Sequence, residues 1–226
     1  MDRPEILFED KHIAVLIKPV GMLSQGDESG DESVVSILEK TSSYVGVIHR
    51  LDRGVGGVMV YAKTKKAAGR LSAIVADKEL FSKTYLVVCH GRPKDDFGEM
   101  HDLLFKDSHL NKSYTVDRMR KGVKEASLEY SLIAYDEKTE LSLVKVKLHT
   151  GRTHQIRVQF SSRGMSLAGD KKYGARDNFK NIGLFSSNLA FYHPVSEDMI
   201  DIGALPDYSQ EPWSIFESEF IKPEAL

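Results

Sequence analysis

Leu141-Ser142-Leu143-Val144-Lys145-Val146-Lys147-Leu148 alternates Val144, Val146 and Leu148 with Lys145 and Lys147, so an extended chain here has one apolar and one basic face. That is the pattern of a half-buried strand. Working outward from it, the chain offers many more strands than helices. Upstream, Ser127–Tyr135, Tyr114–Asp117, Thr84–Cys89 and Gly57–Ala62 read as strands. His12–Ile17 is another, ended at Lys18-Pro19 because proline cannot continue a ladder. Downstream, strands at Leu189–Tyr192 and Met199–Ile202 flank His193-Pro194. Three helices are predicted. Ser33–Lys40 places Val34, Ile37 and Leu38 on one side, and the helix after the Thr64 cap aligns Ala67, Ala68, Leu71, Ile74 and Val75. Thr153–Arg163 takes Thr153 as N-cap, turns Ile156 and Phe160 inward and stops at Gly164. Many consecutive strands with few helices between them predict an α+β fold on a large, mainly antiparallel β-sheet.

Composition fits an ordinary globular protein, with 41% hydrophobic and 28% charged residues in 226. No Pro/Ser/Gly tract separates two halves, and the polar stretch Gln25–Glu32 reads as a surface connection, so residues 1–226 are expected to form a single domain. No apolar run is long enough to span a bilayer and no secretory segment opens the chain, which makes a cytoplasmic location the expectation. A monomer is the separate expectation for its assembly. A single cysteine, Cys89, excludes an internal disulfide framework and a cysteine metal cluster; in the apolar run Tyr85–Cys89 it reads as a core residue. The net charge of −2 is unevenly spread. Residues 1–42 carry −5 and residues 181–226 carry −7, whereas residues 49–70 carry +5 and residues 145–180 carry +7. Two basic segments in an acidic chain can form the positive face that a polyphosphate ligand needs.

Four polar signatures punctuate this framework. Val47-Ile48-His49-Arg50-Leu51-Asp52-Arg53 sets one carboxylate among a histidine and two arginines beside a strand. Lys83-Thr84-Tyr85 follows, then Leu148-His149-Thr150-Gly151-Arg152-Thr153-His154-Gln155-Ile156-Arg157-Val158, then Gly169-Asp170-Lys171-Lys172-Tyr173-Gly174. In this order and at these separations the signatures resemble the RluA family of RNA pseudouridine synthases. The resemblance runs from about residue 8 to residue 216. It implies an isomerase that converts uridine in ribosomal or transfer RNA to pseudouridine, on a twisted, mainly antiparallel sheet with helices around a central cleft, without metal or organic cofactor. It also implies roles: Asp52 as the catalytic aspartate, Tyr85 as the tyrosine that stacks on the target base, and Arg157 as the arginine that pairs with the catalytic carboxylate.

The residue types suit that chemistry. Pseudouridine formation breaks the N1–C1′ bond, rotates the uracil and joins C5 to C1′. An ionised Asp52 can act as nucleophile at C1′ or as base toward the ribose. Arg157 close by would favour the charged carboxylate and orient it. Tyr85 offers a π face and a phenol in one side chain. A uridine inside folded RNA must leave its stack to react, and Arg50, two residues before Asp52, is the candidate to brace the vacated space. Arg152, Lys171 and Lys172 are candidate phosphate contacts, and His49 is expected to be a hydrogen-bonded packing residue.

Three positions depart from the family pattern: Val55-Gly56 replaces Thr-Ser before Gly57, and Gln159 replaces a histidine. The chain is expected to lack the N-terminal RNA-binding module of some relatives, leaving recognition to the catalytic domain and its Gly91–Lys124 stretch.

Other readings fit less well. Ala62-Lys63-Thr64 lacks the glycine of a P-loop, and the third glycine of a dinucleotide fingerprint would fall at Met59. A metal-dependent hydrolase using His49, Asp52, His149 and His154 lacks zinc-helix spacing. A non-catalytic RNA-binding module would have no use for a carboxylate facing phosphate-rich RNA.

Overall fold

The computed structural model describes residues 3–77 and 79–221. Its strands are β1 (Glu5–Glu9), β2 (Ile13–Lys18), β3 (Gly46–Val47), β4 (Gly56–Ala62), β5 (Phe81–His90) and β6 (Phe97–Asp107), followed by β7 (Lys112–Val116), β8 (Val123–Asp136), β9 (Leu141–Leu148), β10 (Leu184–Tyr192) and β11 (Met199–Gly203). Helices are α1 (Val34–Leu38), α2 (Lys65–Ala76), α3 (Gln155–Ser161) and a short α4 (Glu217–Phe220). The fold is α+β, as the succession of strands predicts. The chain forms two compact units, one of residues up to Lys83 together with Phe185–Pro206, the other of Thr84–Leu184 and the residues from Asp207 on.

In the first unit the strand order is β1-β2-β4-β10, with β3 also on β4 and β11 on β10. Pairing is antiparallel except for β10 on β4, where Phe185 faces Gly56 and Ser186 faces Gly57. That parallel contact explains Gly57: its φ is +124° and a Cβ would collide with the Ser186 backbone. β4 is buried along its whole length, which is why it reads as a continuous apolar run. α2 begins where Thr64 Oγ1 accepts from Ala67 N at 3.2 Å, and it lays Ala67 and Leu71 on the sheet. Val58, Val60, Leu189 and Phe191 close this core, with the Phe81 and Phe191 rings stacked at 5.4 Å. Each such side chain contributes about 1.5–3 kcal/mol on burial.

The second unit carries the order β5-β9-β8-β6-β7. β9 behaves as its alternation predicts: Val144, Val146 and Leu148 are buried while Lys145 and Lys147 are exposed. β6 is absent from the sequence expectation. Its Gly98, His101 and Asp102 weaken the strand signal, and it forms because β8 pairs it continuously from Phe97↔Ser131 to Phe105↔Val123. Gly91–Lys124 is therefore largely a β6–β7 ribbon rather than a loop.

The start of α3 also differs from expectation. Its N-cap is His154, at φ +54°, not Thr153. The Thr153 carbonyl is taken by Ser113 Oγ at 2.7 Å, and Gln155 organises the turn instead. Gln155 Oε1 accepts from Arg152 N at 3.0 Å and Thr150 Oγ1 at 2.7 Å, while its Nε2 donates to Ser127 O at 3.0 Å. Ile156 and Phe160 point inward as predicted, and Val158 joins Leu104, Ala126 and Tyr173 in a core cluster.

Candidate active site

Asp52 sits in a turn closed by Val55 N donating to Asp52 O at 3.0 Å. The backbone before it is fixed by Ser24, whose Oγ donates to Leu51 O at 2.8 Å and accepts from Leu51 N at 3.1 Å. The backbone after it is fixed by Gly21 N donating to Arg53 O at 2.8 Å, and Arg53 Nε donates back to Gly21 O at 3.1 Å. Arg53 Nη1 meets Asp31 at 2.7 Å. Beneath this turn lies Lys18, fully buried, whose Nζ donates to Met22 O at 2.7 Å, Pro19 O at 3.0 Å and Arg53 O at 3.4 Å. Burial pulls the Lys18 ammonium down to about 8, and attraction to Asp52 opposes that pull. The half-buried carboxylate is thus carried on a backbone locked from both sides.

Arg157, in α3, is held by Asp170: Nε donates to Oδ2 at 2.7 Å and Nη2 to Oδ1 at 2.8 Å, with both side chains buried. Its guanidinium carbon lies 5.0 Å from the Tyr173 ring centroid, and Tyr173 Oη meets His154 Nδ1 at 3.0 Å. Tyr85 is buried on β5. Two residues before it, burial lowers the proton affinity of Lys83, whose Nζ sits 5.5 Å from the Phe81 ring centroid.

Arg50 is exposed, and it and Asp52 belong to the first unit. Tyr85, Arg152, Arg157, Lys171 and Lys172 belong to the second. Arg152 Nε donates to Glu125 O at 2.8 Å and Lys172 Nζ to Asn111 O at 2.9 Å, while Lys171 is exposed.

Residues 12–162 match the family described as RNA pseudouridylate synthase. An uncharacterised RNA pseudouridine synthase of Aquifex aeolicus is 34% identical over 98% of this chain and 70% of its own length. A Bacillus subtilis protein of the same description is 30% identical, covering 87% of this chain and 66% of its own length. Ribosomal large subunit pseudouridine synthase D of Zymomonas mobilis is 32% identical over 88% of this chain and 68% of its own length. The chain belongs to the RluA-type RNA pseudouridine synthases. Members of this family are isomerases that convert uridine to pseudouridine. The structure of human RNA pseudouridylate synthase domain containing 4 superposes with a TM-score of 0.74 at 20% identity, over 90% of this chain and 89% of that one, which shows the shared synthase fold.

Asp52, Tyr85, Arg157, Arg50 and Arg152 lie inside the stretch matched by the synthase family, and Lys171 and Lys172 lie beyond it. The Val55-Gly56 departure has a packing counterpart. A Cβ at Gly56 would sit 3.0 Å from Val20 Cγ2, so Val20 fills the room of a larger residue. Gln159, the other departure, is fully buried and donates from Nε2 to Asp102 at 2.7 Å.

Three residues that hold the predicted ones, Lys18 in the first unit and Gln155 and Asp170 in the second, received no role from sequence. Lys18 was legible only as the polar end of an apolar strand, Asp170 as part of a signature, and Gln155 as a helix position. The histidines of the metal reading are held elsewhere: His49 Nε2 accepts from Val60 N at 3.2 Å, His149 meets Glu129 at 2.7 Å, and His154 meets Tyr173. Burial, reinforced by the Lys83 charge, pushes His49 down to about 3, so it is a neutral packing residue as expected. Cys89 is buried and its thiol is pushed up to about 12. Among the described residues no helix is long and apolar enough to cross a membrane.

Proposed function

We propose that this synthase isomerises specific uridines in ribosomal or transfer RNA, with Asp52 as the catalytic carboxylate. The relatives named for the large ribosomal subunit favour ribosomal RNA. The observation that carries the reading is the Asp52 turn, whose backbone is locked from both sides above the buried Lys18 charge, within the stretch that matches the family. A carboxylate fixed in this way is pre-positioned for a reaction that depends on alignment with C1′.

In the proposed mechanism the target nucleotide leaves its stack, Arg50 braces the gap, and the base stacks on Tyr85. Ionised Asp52 either attacks C1′ or takes a proton from the ribose, and the N1–C1′ bond breaks. Uracil turns and C5 bonds to C1′. This displaces the Asp52 carboxylate if it had attacked there, or is accompanied by return of the proton from Asp52 to the ribose if it had acted as base. The proton on C5 then leaves, with the Tyr85 phenol assisting, and N1 regains a proton. Arg157 pairs with Asp52 and steadies its charge. Arg152, Lys171 and Lys172 contact phosphates. The protein acts as a single catalytic domain and a monomer in the cytoplasm, without metal or organic cofactor.

Carbodiimide mapping of pseudouridine in cellular RNA with and without the gene tests the proposal. One or a few sites should disappear with the gene and return with the wild-type protein. An unchanged map would refute it.

A further inference from the structure

The β6–β7 ribbon and the turn that follows it form a cation-rich stretch that carries no role in the site above. Lys106, Lys112, Arg118, Arg120, Lys121 and Lys124 stand against Asp107 and Asp117 alone, a net +4 over residues 105–124. Asp107 is already engaged, accepting from the backbone of His109 at 2.9 Å and Leu110 at 3.0 Å to close the β6–β7 turn. Among the described residues, Arg118, Arg120, Lys121 and Lys124 have no carboxylate partner, and residues 117–122 are exposed throughout. Aromatic rings are interleaved with these cations: Arg120 lies 5.4 Å from the Phe105 centroid and Lys112 lies 5.5 Å from that of Tyr114.

This ribbon is tied down at its base. Ser113 N donates to Tyr173 Oη at 2.8 Å, Ser113 Oγ donates to Thr153 O at 2.7 Å, and Lys172 Nζ donates to Asn111 O. Tyr173 carries Lys112 Nζ 5.1 Å and Arg157 Cζ 5.0 Å from its ring centroid. One buried tyrosine therefore contacts the ribbon, the start of α3 and the guanidinium of Arg157.

We propose that the ribbon and its 117–122 turn are an RNA-phosphate-binding arm, with Arg118, Arg120 and Lys121 as the contacting cations and Tyr173 holding the arm in register with Arg157. This rests on the reading of the chain as an RNA-modifying enzyme. Cations without carboxylate partners gain most from phosphates, because each neutralised phosphate releases condensed counterions. Such contacts place the protein along a folded RNA without reading its sequence. An acidic protein surface is the competing occupant; the rings beside the cations and the family's RNA substrate favour RNA.

Fluorescence anisotropy of a labelled RNA hairpin with a G–C stem and an adenine loop tests the arm, since a probe without uridine cannot engage uridine chemistry. The Arg118→Gln/Arg120→Gln/Lys121→Gln variant should bind about tenfold or more weaker at low salt. Its slope of log affinity against log salt should shrink by about two to three, at roughly 0.9 for each duplex phosphate contact. A control that removes the same charge from exposed sites elsewhere, Lys11→Gln/Lys94→Gln/Lys138→Gln, should stay close to wild type. All six side chains are exposed, so melting temperatures should match and exclude misfolding. Unchanged binding by the arm variant, equal loss in both variants, or no hairpin binding by the wild type would overturn the arm. Pseudouridine mapping judges the catalytic reading separately. A protein that forms pseudouridine but binds the hairpin without its arm refutes only the arm.

Discussion

Arg157 and Asp170 are joined by two parallel hydrogen bonds, Nε to Oδ2 at 2.7 Å and Nη2 to Oδ1 at 2.8 Å, in a place where both side chains are buried. A bidentate pair fixes the guanidinium plane as well as its position. Removing one partner of a buried pair leaves an uncompensated charge, which is costlier than losing the pair as a whole. Asp170→Ala should therefore destabilise the protein by about 3–5 kcal/mol in urea unfolding. A loss under about 1 kcal/mol would show that Arg157 does not depend on Asp170 for its charge balance.

His49 offers a check on pH. The imidazole is pushed from its ordinary 6.5 to about 3 by burial first and the Lys83 charge second. The unfolded chain takes up a proton near 6.5 and the folded one does not, so between about 6.5 and 3 the unfolded state holds more protons. Stability should fall as pH drops through that window, by about 1.4 kcal/mol per pH unit from this residue, and no such loss should arise above it. The His49 C2 proton resonance should stay flat in an NMR titration from pH 8 to about pH 4. A midpoint near 6.5 would contradict the burial argument.

What the sequence disclosed follows physical lines. β9, β4 and α2 were legible because their burial is written into their own periodicity and caps: Lys145 and Lys147 face out, and Thr64 caps. β6 was not, because its partner β8 supplies its pairing from a distance in sequence. The N-cap of α3 was misplaced because Ser113, about forty residues upstream in sequence, takes the Thr153 carbonyl. Asp52, Tyr85 and Arg157 stood out through their signatures. Lys18 and Asp170 did not, since their importance lies in which carbonyls and which guanidinium the fold brings to them. The arm cations do not stand out in sequence, because Asp107 and Asp117 are interspersed among them and only the fold shows that Asp107 is spent on the backbone of His109 and Leu110.

Lys18 should matter for rate more than for binding. Its ammonium satisfies the carbonyls of Pro19, Met22 and Arg53 and so holds the backbone next to Asp52. Lys18→Met strips those acceptors of their donor, at a cost of about 1–3 kcal/mol in stability. In single-turnover assays the variant should show reduced kcat with hairpin affinity unchanged. Wild-type kcat would mean that the turn keeps its geometry without this lysine.

Tyr85→Phe and Tyr85→Ala should separate stacking from phenol chemistry. Phenylalanine keeps the ring, so substrate affinity should persist while turnover falls. Alanine should also weaken binding, by about 1–3 kcal/mol if the target base stacks there. If the phenylalanine variant turns over like wild type, the phenol takes no part in proton transfer and Tyr85 serves as a platform.

Asp52→Asn addresses the catalytic assignment most directly. The amide is the same size as the carboxylate, and backbone bonds of Leu51, Asp52 and Arg53 hold the turn. Folding and hairpin binding should therefore be preserved, and thermal unfolding with anisotropy will confirm both. Turnover should collapse, since an amide is neither a competent nucleophile at C1′ nor a base toward the ribose. A loss of two or more powers of ten corresponds to about 3 kcal/mol or more of transition-state stabilisation, the scale expected of a group that performs the chemical step. Residual turnover above about one part in a hundred would remove Asp52 from that role, because positioning alone would then account for what remains.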